Sequence, residues 1–264
     1  MLTVAQRDEF ARAGLLRLAG AIDVADAHAM ADRIWSFLAD RAGVDRADPA
    51  TWTVARPTGF QAVTHTGGLD PMWSTPVRSA IEDLIGTGDV HRERPRVLMT
   101  FPDSDGPWVV PPAGWHFDYV PLQPEPGLRA LQVFVLLDEV LPGGGGTVVL
   151  TGSHRLVRRY VSDTGLEPRP KLVRGYLSSL EPWLEQLWSV GPRDGHRAAG
   201  ERPTPDGVGV DGVPLRVVEA AGAAGDVYLM HSDCFHAAAP NTRCVPRMMA
   251  TSVVNRRTHR SATR

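Results

Sequence analysis

Leu128-Arg129-Ala130-Leu131-Gln132-Val133-Phe134-Val135-Leu136-Leu137 reads as a strand. It carries an apolar run, Leu131–Leu137, that is far short of a membrane span, and it is followed by a glycine-rich turn. Further candidate strands lie at Arg96–Phe101, His116–Val120, Thr147–Leu150, Leu215–Glu219, Asp226–Met230 and Pro246–Asn255. They are short, separated by Pro/Gly turns and without regular βα alternation, which predicts an antiparallel sandwich or jelly roll.

The N-terminal third reads helical. Thr3 and Gln6 have the spacing of a capping box, and Gly14 is a natural stop. A second helix follows Asp23, with Met30, Ile34, Phe37, Leu38 and Arg41 at three-to-four spacing. Arg41–Thr58 reads as connecting loop. A third helix opens at Thr75, with Pro76 in its first turn, and ends at Gly86. The expected class is therefore mainly β with flanking α-helices, in one domain over 1–264. A lid-like insertion at about 155–214 interrupts the strands. In it Leu177–Val190 is predicted helical and Gly191–Pro214 a mobile loop.

Within the strand region, His116 and Asp118 form a His-x-Asp. On a strand, residues i and i+2 project from one face, so both can grip one ion. A third ligand is offered by the cluster running from His231 to Asn241. His236 is preferred to His231, because small residues (Ala237-Ala238-Ala239) follow it and because of its spacing from Arg247. Two imidazoles and one carboxylate leave three positions open, the arrangement used for iron(II) oxygenases, to be taken by a bidentate 2-oxo acid and dioxygen. Arg247, eleven residues beyond His236, could return across a hairpin to pair with a distal carboxylate; Arg243 falls in the turn and faces solvent. His154 is expected in a structural turn and Cys234 as a buried filler. Phe117 and Tyr119 are expected to pack on the face opposite the ligands.

In the same order, these motifs resemble the phytanoyl-CoA dioxygenase family of 2-oxoglutarate-dependent oxygenases. The likeness runs from Leu2–Phe10 and Gly14-Leu15-Leu16, through Trp115-His116-Phe117-Asp118, Leu131–Asp138 and Gly145–His154, to His236–Asn241 and Pro246-Arg247. The resemblance implies a double-stranded β-helix (jelly roll, cupin-like). It also implies Fe(II) held by His116, Asp118 and His236, with Arg247 on the 5-carboxylate of 2-oxoglutarate. Thr147 stands where relatives place a hydroxyl near the co-substrate, and Phe134 where many carry tryptophan. Retention of Asp118 speaks against a halogenase, and Met249 replaces a serine found in some branches.

Composition bounds the partners. With 28 basic and 30 acidic residues the chain lacks the basic excess of a nucleic-acid protein. Two cysteines are too few for a disulfide framework, and Met1–Ala13 is not a signal peptide, so the cytoplasm is the expected compartment. The expected partner is a small-molecule substrate, with neither nucleic acid nor membrane, and with specificity carried by the insertion and by Thr58–Gly68. Two rivals remain: a cupin-type metal enzyme that does not use 2-oxoglutarate, and an inactive binding protein of the same fold.

Overall fold

The computed structural model describes residues 1–86, 90–103, 106–118, 120–122, 127–188 and 207–257. The chain begins with α1 (Val4–Ala13), β1 (Leu15–Leu18) and α2 (Val24–Ala42), then α3 (Gln61–His65) and α4 (Thr75–Ile85). Next come β2 (Val90–Arg92), β3 (Arg96–Thr100), β4 (Ala130–Leu136) and β5 (Thr147–Thr151). The insertion carries α5 (Ser153–Thr164), α6 (Pro170–Leu180), α7 (Pro182–Trp188) and β6 (Val208–Val210). It is followed by β7 (Val213–Glu219), β8 (Val227–His231), β9 (His236–Ala238) and β10 (Arg247–Arg256).

Caps account for the helix ends. Thr3 and Gln6 form the reciprocal capping box of α1, and Gly14 closes it in the left-handed region at φ 69°. Gly14 is doubly constrained. A Cβ there would stand 2.5 Å from Cys234 Sγ and from His154 Nδ1. Asp23 caps α2 through Ala25 N–H, and Ser74, one residue before the predicted start, caps α4.

Two antiparallel sheets face each other. The larger runs β1-β8-β4-β10-β2, with β3 also paired to β10, and the smaller runs β6-β7-β5-β9. Adjacent strands come from distant parts of the chain, as a jelly roll requires. Alternation along each strand divides the core into layers. Leu131, Val133 and Val135 of β4 pack with Met30, Ile34 and Ile81 of the N-terminal helices. Phe134 and Leu136 turn the other way, joining Val149, Tyr228, Met230 and Met249 between the sheets. Outside the smaller sheet, Val148, Leu150 and Val217 pack with Leu156, Val173, Leu177 and Leu184 from α5, α6 and α7.

The structure corrects several expectations. Among the described residues of His116–Val120 there is no strand: the segment follows Gly114 at φ 83° and makes a single bridge, His116 to His236. Tyr119 lies outside the described residues. Leu177–Val190 is not one helix, because Pro182 cannot continue the hydrogen-bond ladder and holds Glu181 extended (φ −148°, ψ 115°) between α6 and α7. Val190 lies outside the described residues, as does the Gly191–Pro214 loop up to residue 206. Its end is a hairpin of β6 and β7 rather than loop. Arg41–Thr58 includes a 3-10 turn at Pro49–Thr51, and Thr58–Gly68 includes α3. Among the described residues no helix is long and apolar enough to cross a membrane.

His154 sits in the first turn of α5, not in a loop, and is buried. Its Nε2 donates to the Ala11 carbonyl at 3.1 Å and its Nδ1 faces Cys234 Sγ at 3.7 Å. Burial pushes it from the usual 6.5 to about 4, the Arg158 and Arg155 charges adding to that; burial depresses His231 as well. The unfolded chain therefore binds more protons than the folded one between about pH 6.5 and about 4, so stability falls as pH falls through that window. His154 alone is expected to cost about 1.4 kcal/mol per pH unit there. In His154→Gln, which does not titrate, the slope of urea-unfolding free energy against pH should drop by about that amount; an unchanged slope would refute the assignment.

Candidate metal and co-substrate site

The single bridge from His116 to His236 assembles the site. His116 N–H donates to the His236 carbonyl at 3.0 Å, and His236 N–H returns to the His116 carbonyl at 2.7 Å. Two segments 120 residues apart in the chain are thereby locked side by side, with imidazole centroids 4.3 Å apart. Asp118 joins them on the same side of the chain, while Phe117 between them turns into the apolar layer and meets Phe235 edge-on. One ligand atom from each of His116, Asp118 and His236 lies within 4.8 Å of the others. Among the described residues this is the one such group of three metal-ligating side chains. His231 belongs elsewhere: its Nδ1 accepts from Asp233 N–H at 3.0 Å and its ring packs near His154.

Hydrogen bonds set the tautomers. His116 Nδ1 lies 2.7 Å from the Gly114 carbonyl, and His236 Nδ1 lies 3.1 Å from the Cys234 carbonyl. A carbonyl only accepts, so each Nδ1 carries the hydrogen and each Nε2 keeps its lone pair, as a metal-ligating histidine requires. Burial and then the adjacent His116 push His236 down to about 4, with Asp118 opposing. Its imidazole is thus neutral near pH 7. Asp118 Oδ2 is buried and unpaired among the described residues, the condition of a carboxylate built for an ion. The donor set therefore fits a divalent metal of the iron type.

Arg247 opens β10 on its inner face and is 5% exposed. It donates to Thr100 Oγ1 at 2.7 Å, its Nε has no partner, and among the described residues no carboxylate pairs with it. Burial pushes its guanidinium down to about 10. A buried cation without a counter-ion is costly unless a ligand supplies the anion. Arg243, by contrast, is exposed and held by the Pro142 carbonyl in the turn. Thr147, buried on β5, pairs with Ala238 two residues beyond His236. Phe134 meets the His236 ring edge-on at 6.5 Å.

One supporting pair escaped the sequence reading. Arg129 makes a buried ion pair with Asp233, its Nη2 donating to both carboxylate oxygens at 2.7 and 2.8 Å, while its Nη1 donates to the Val120 carbonyl. It thus ties the segment after Asp118 to the loop before His236. The signal was present, as a basic residue at the head of an apolar strand and an acidic one inside an apolar cluster, but only the fold pairs them. Arg129→Met leaves Asp233 buried and unpaired, and is expected to cost ~3–5 kcal/mol. In Arg129→Met/Asp233→Leu most of that loss should return; denaturant midpoints of the three proteins check it, and equal losses in single and double variants would refute the coupling.

No curated protein matches this sequence. Solved structures share the fold. The epimerase SnoN, in complex with Fe3+, alpha ketoglutarate and nogalamycin RO, aligns with a TM-score of 0.55 at 18% identity, over 95% of this chain and 82% of that one. HygX from Streptomyces hygroscopicus, with nickel and 2-oxoglutarate bound, aligns at 0.54 and 12% identity, over 96% and 87%. AviO1 from Streptomyces viridochromogenes Tue57 aligns at 0.54 and 16%, over 97% and 96%. The family model for phytanoyl-CoA dioxygenase (PhyH) matches residues 10–249, a span that includes His116, Asp118, His236 and Arg247. On that match, the chain belongs to the phytanoyl-CoA dioxygenase family and is an iron(II)- and 2-oxoglutarate-dependent oxygenase.

Proposed function

We propose that His116, Asp118 and His236 hold iron(II), that Arg247 anchors the 5-carboxylate of 2-oxoglutarate, and that the Thr147 hydroxyl lies beside the co-substrate. The observation that carries this reading is the pairing of a three-ligand group with a buried guanidinium lacking any carboxylate among the described residues. When bound, iron(II) with 2-oxoglutarate and dioxygen supplies oxidation of a C–H bond coupled to decarboxylation to succinate. The chain's own part is positional. The Nδ1–H bonds to Gly114 and Cys234 aim both Nε2 lone pairs at one point. The guanidinium fixes the tail of the co-substrate, and Phe134 and Met249 keep the interior dry.

The substrate is a small organic metabolite of secondary metabolism, and hydroxylation is the expected outcome. Support comes from structural neighbours crystallised with nogalamycin RO in SnoN and with hygromycin B in HygX. The insertion is read as a lid: α6 reaches the ligand segment through Arg174, which donates to the Trp115 carbonyl at 3.1 Å. A single domain over 1–264, working in the cytoplasm, completes the reading; Cys234, a thiol pushed up to about 12 by burial, is inert there.

Anaerobic addition of iron(II) and 2-oxoglutarate should produce the weak visible charge-transfer band of their complex, and admission of air should release succinate. Iron binding that is indifferent to 2-oxoglutarate would favour the cupin-type alternative, and absence of metal binding the inactive one.

A further inference from the structure

Beyond Arg247, the inner wall of the larger sheet carries polar side chains that neither the ligand set nor the co-substrate anchor uses. The pairing register orders them. On one flank of β10, Thr100 lies across from Arg247, Leu98 from Met249 and Arg96 from Thr251. On the other, Leu136 lies across from Met249, Phe134 from Thr251 and Gln132 from Val253. Residues two apart share a face, and Phe134, Leu136 and Met249 belong to the layer between the sheets. Arg96, Thr251 and Gln132 therefore turn to that same interior. The wall runs from the Arg247–Thr100 pair, through an apolar row, to a polar edge roughly 13 Å further along β10. That edge is level with the metal ligands, because Phe134 in the same row meets the His236 ring.

Of the polar groups at this edge, Gln132 is buried with one atom unsatisfied and Arg96 is exposed to solvent. Gln132 is 5% exposed; its Nε2 donates to Thr251 Oγ1 at 3.0 Å, but its Oε1 is buried with no partner among the described residues. Turning the amide over would exchange the two atoms and still leave one polar atom facing the interior. Such a group is costly unless a ligand meets it. Arg96 is exposed at the mouth, and among the described residues no carboxylate pairs with it.

We propose that Arg96 and Gln132 form the substrate-reading edge of the site, and that the substrate is a small molecule carrying an anionic group, a carboxylate or phosphate, with a hydroxyl or N–H beside it. Arg96 pairs with the anion, and the Gln132 amide, held by Thr251, takes the neighbouring polar group. This rests on the reading of the site as an iron and 2-oxoglutarate centre, since it assigns the open edge beyond the co-substrate to the substrate.

The test titrates the protein loaded with iron(II) and 2-oxoglutarate, without oxygen, with benzoate, phenyl phosphate, 3-hydroxybenzoate and benzamide, read by calorimetry. At least one of the two plain anions should bind at least tenfold more tightly than benzamide. Arg96→Gln should bring that preference to within twofold while the affinity for 2-oxoglutarate stays within twofold. Arg96→Lys should keep a weakened preference. Gln132→Leu should keep the preference for anions and lose the advantage of 3-hydroxybenzoate over benzoate. The proposal is overturned if the wild type shows no preference for anions, if Arg96→Gln retains it, or if Arg96→Gln instead weakens 2-oxoglutarate tenfold. Failure of the charge-transfer band to form is a separate result that strikes the co-substrate reading. In that case the same titration of the metal-free protein still decides Arg96, with Arg247→Leu reporting whether the probe sits at Arg247 instead.

Discussion

His236→Ala is expected to abolish iron(II) binding at micromolar metal, to remove the charge-transfer band with 2-oxoglutarate, and to lower succinate release by at least about 10³-fold. His231→Ala, five residues earlier, is expected to leave the band in place. The contrast follows from geometry. His236 Nε2 is freed by the Nδ1–H bond to Cys234 and stands with His116 and Asp118 in one group. His231 Nδ1 is already taken by the Asp233 N–H, and its ring packs against Phe10 and His154. Its loss should appear instead as reduced stability, from a cavity in a buried cluster, on the order of 1–3 kcal/mol. Metal binding by calorimetry and unfolding by denaturant separate the two effects. A band that survives His236→Ala, or disappears with His231→Ala, would reverse the ligand assignment.

The prediction depends on a site that was partly written in the chain. His116 and Asp118 were legible as a pair because their spacing puts two donors on one side of an extended segment, and this holds although the segment is not a strand. A single bridge to β9, rather than a ladder, holds the pair in place. Helix ends were legible at Thr3, Gly14 and Asp23, where capping is decided by neighbouring residues. Strands at β3, β4, β5, β7, β8 and β10 were legible from composition. The edges β2, β6 and β9, of three residues each, were not, because so short a run carries no period and is made a strand only by its partner. The helix α5 was missed because Gly152 and Ser153 read as a turn, whereas its apolar face of Leu156, Val157 and Tyr160 is fixed by packing on the smaller sheet. The Arg129–Asp233 pair spans 104 residues and Gln132–Thr251 spans 119. No local rule links residues so far apart, so those contacts become visible only when the register is known.

Arg247 carries the second large effect, and its two consequences point in opposite directions. Removing the guanidinium in Arg247→Leu takes away the charge-assisted partner for the distal carboxylate of 2-oxoglutarate. The concentration of 2-oxoglutarate that half-saturates the charge-transfer band should rise by about 10²-fold, the scale of truncating a buried charge pair. Iron(II) binding itself should be unchanged, since Arg247 is not among the three side chains proposed to hold the metal. Arg247→Lys keeps the charge but not the fork, and should fall between. In the metal-free protein, however, the same residue is a buried cation whose Nε is unpaired and whose side-chain partners among the described residues are the Thr100 hydroxyl at 2.7 Å and the Met249 sulfur at 3.8 Å. Desolvation without a counter-ion is unfavourable, so Arg247→Leu is expected to raise the stability of the ligand-free chain by ~1–3 kcal/mol as it destroys co-substrate binding. An arginine kept for packing would do the reverse, lowering stability and leaving the affinity for 2-oxoglutarate intact. Measuring denaturant midpoints beside the 2-oxoglutarate titration therefore decides whether the cost of burying this charge is borne for the sake of a ligand.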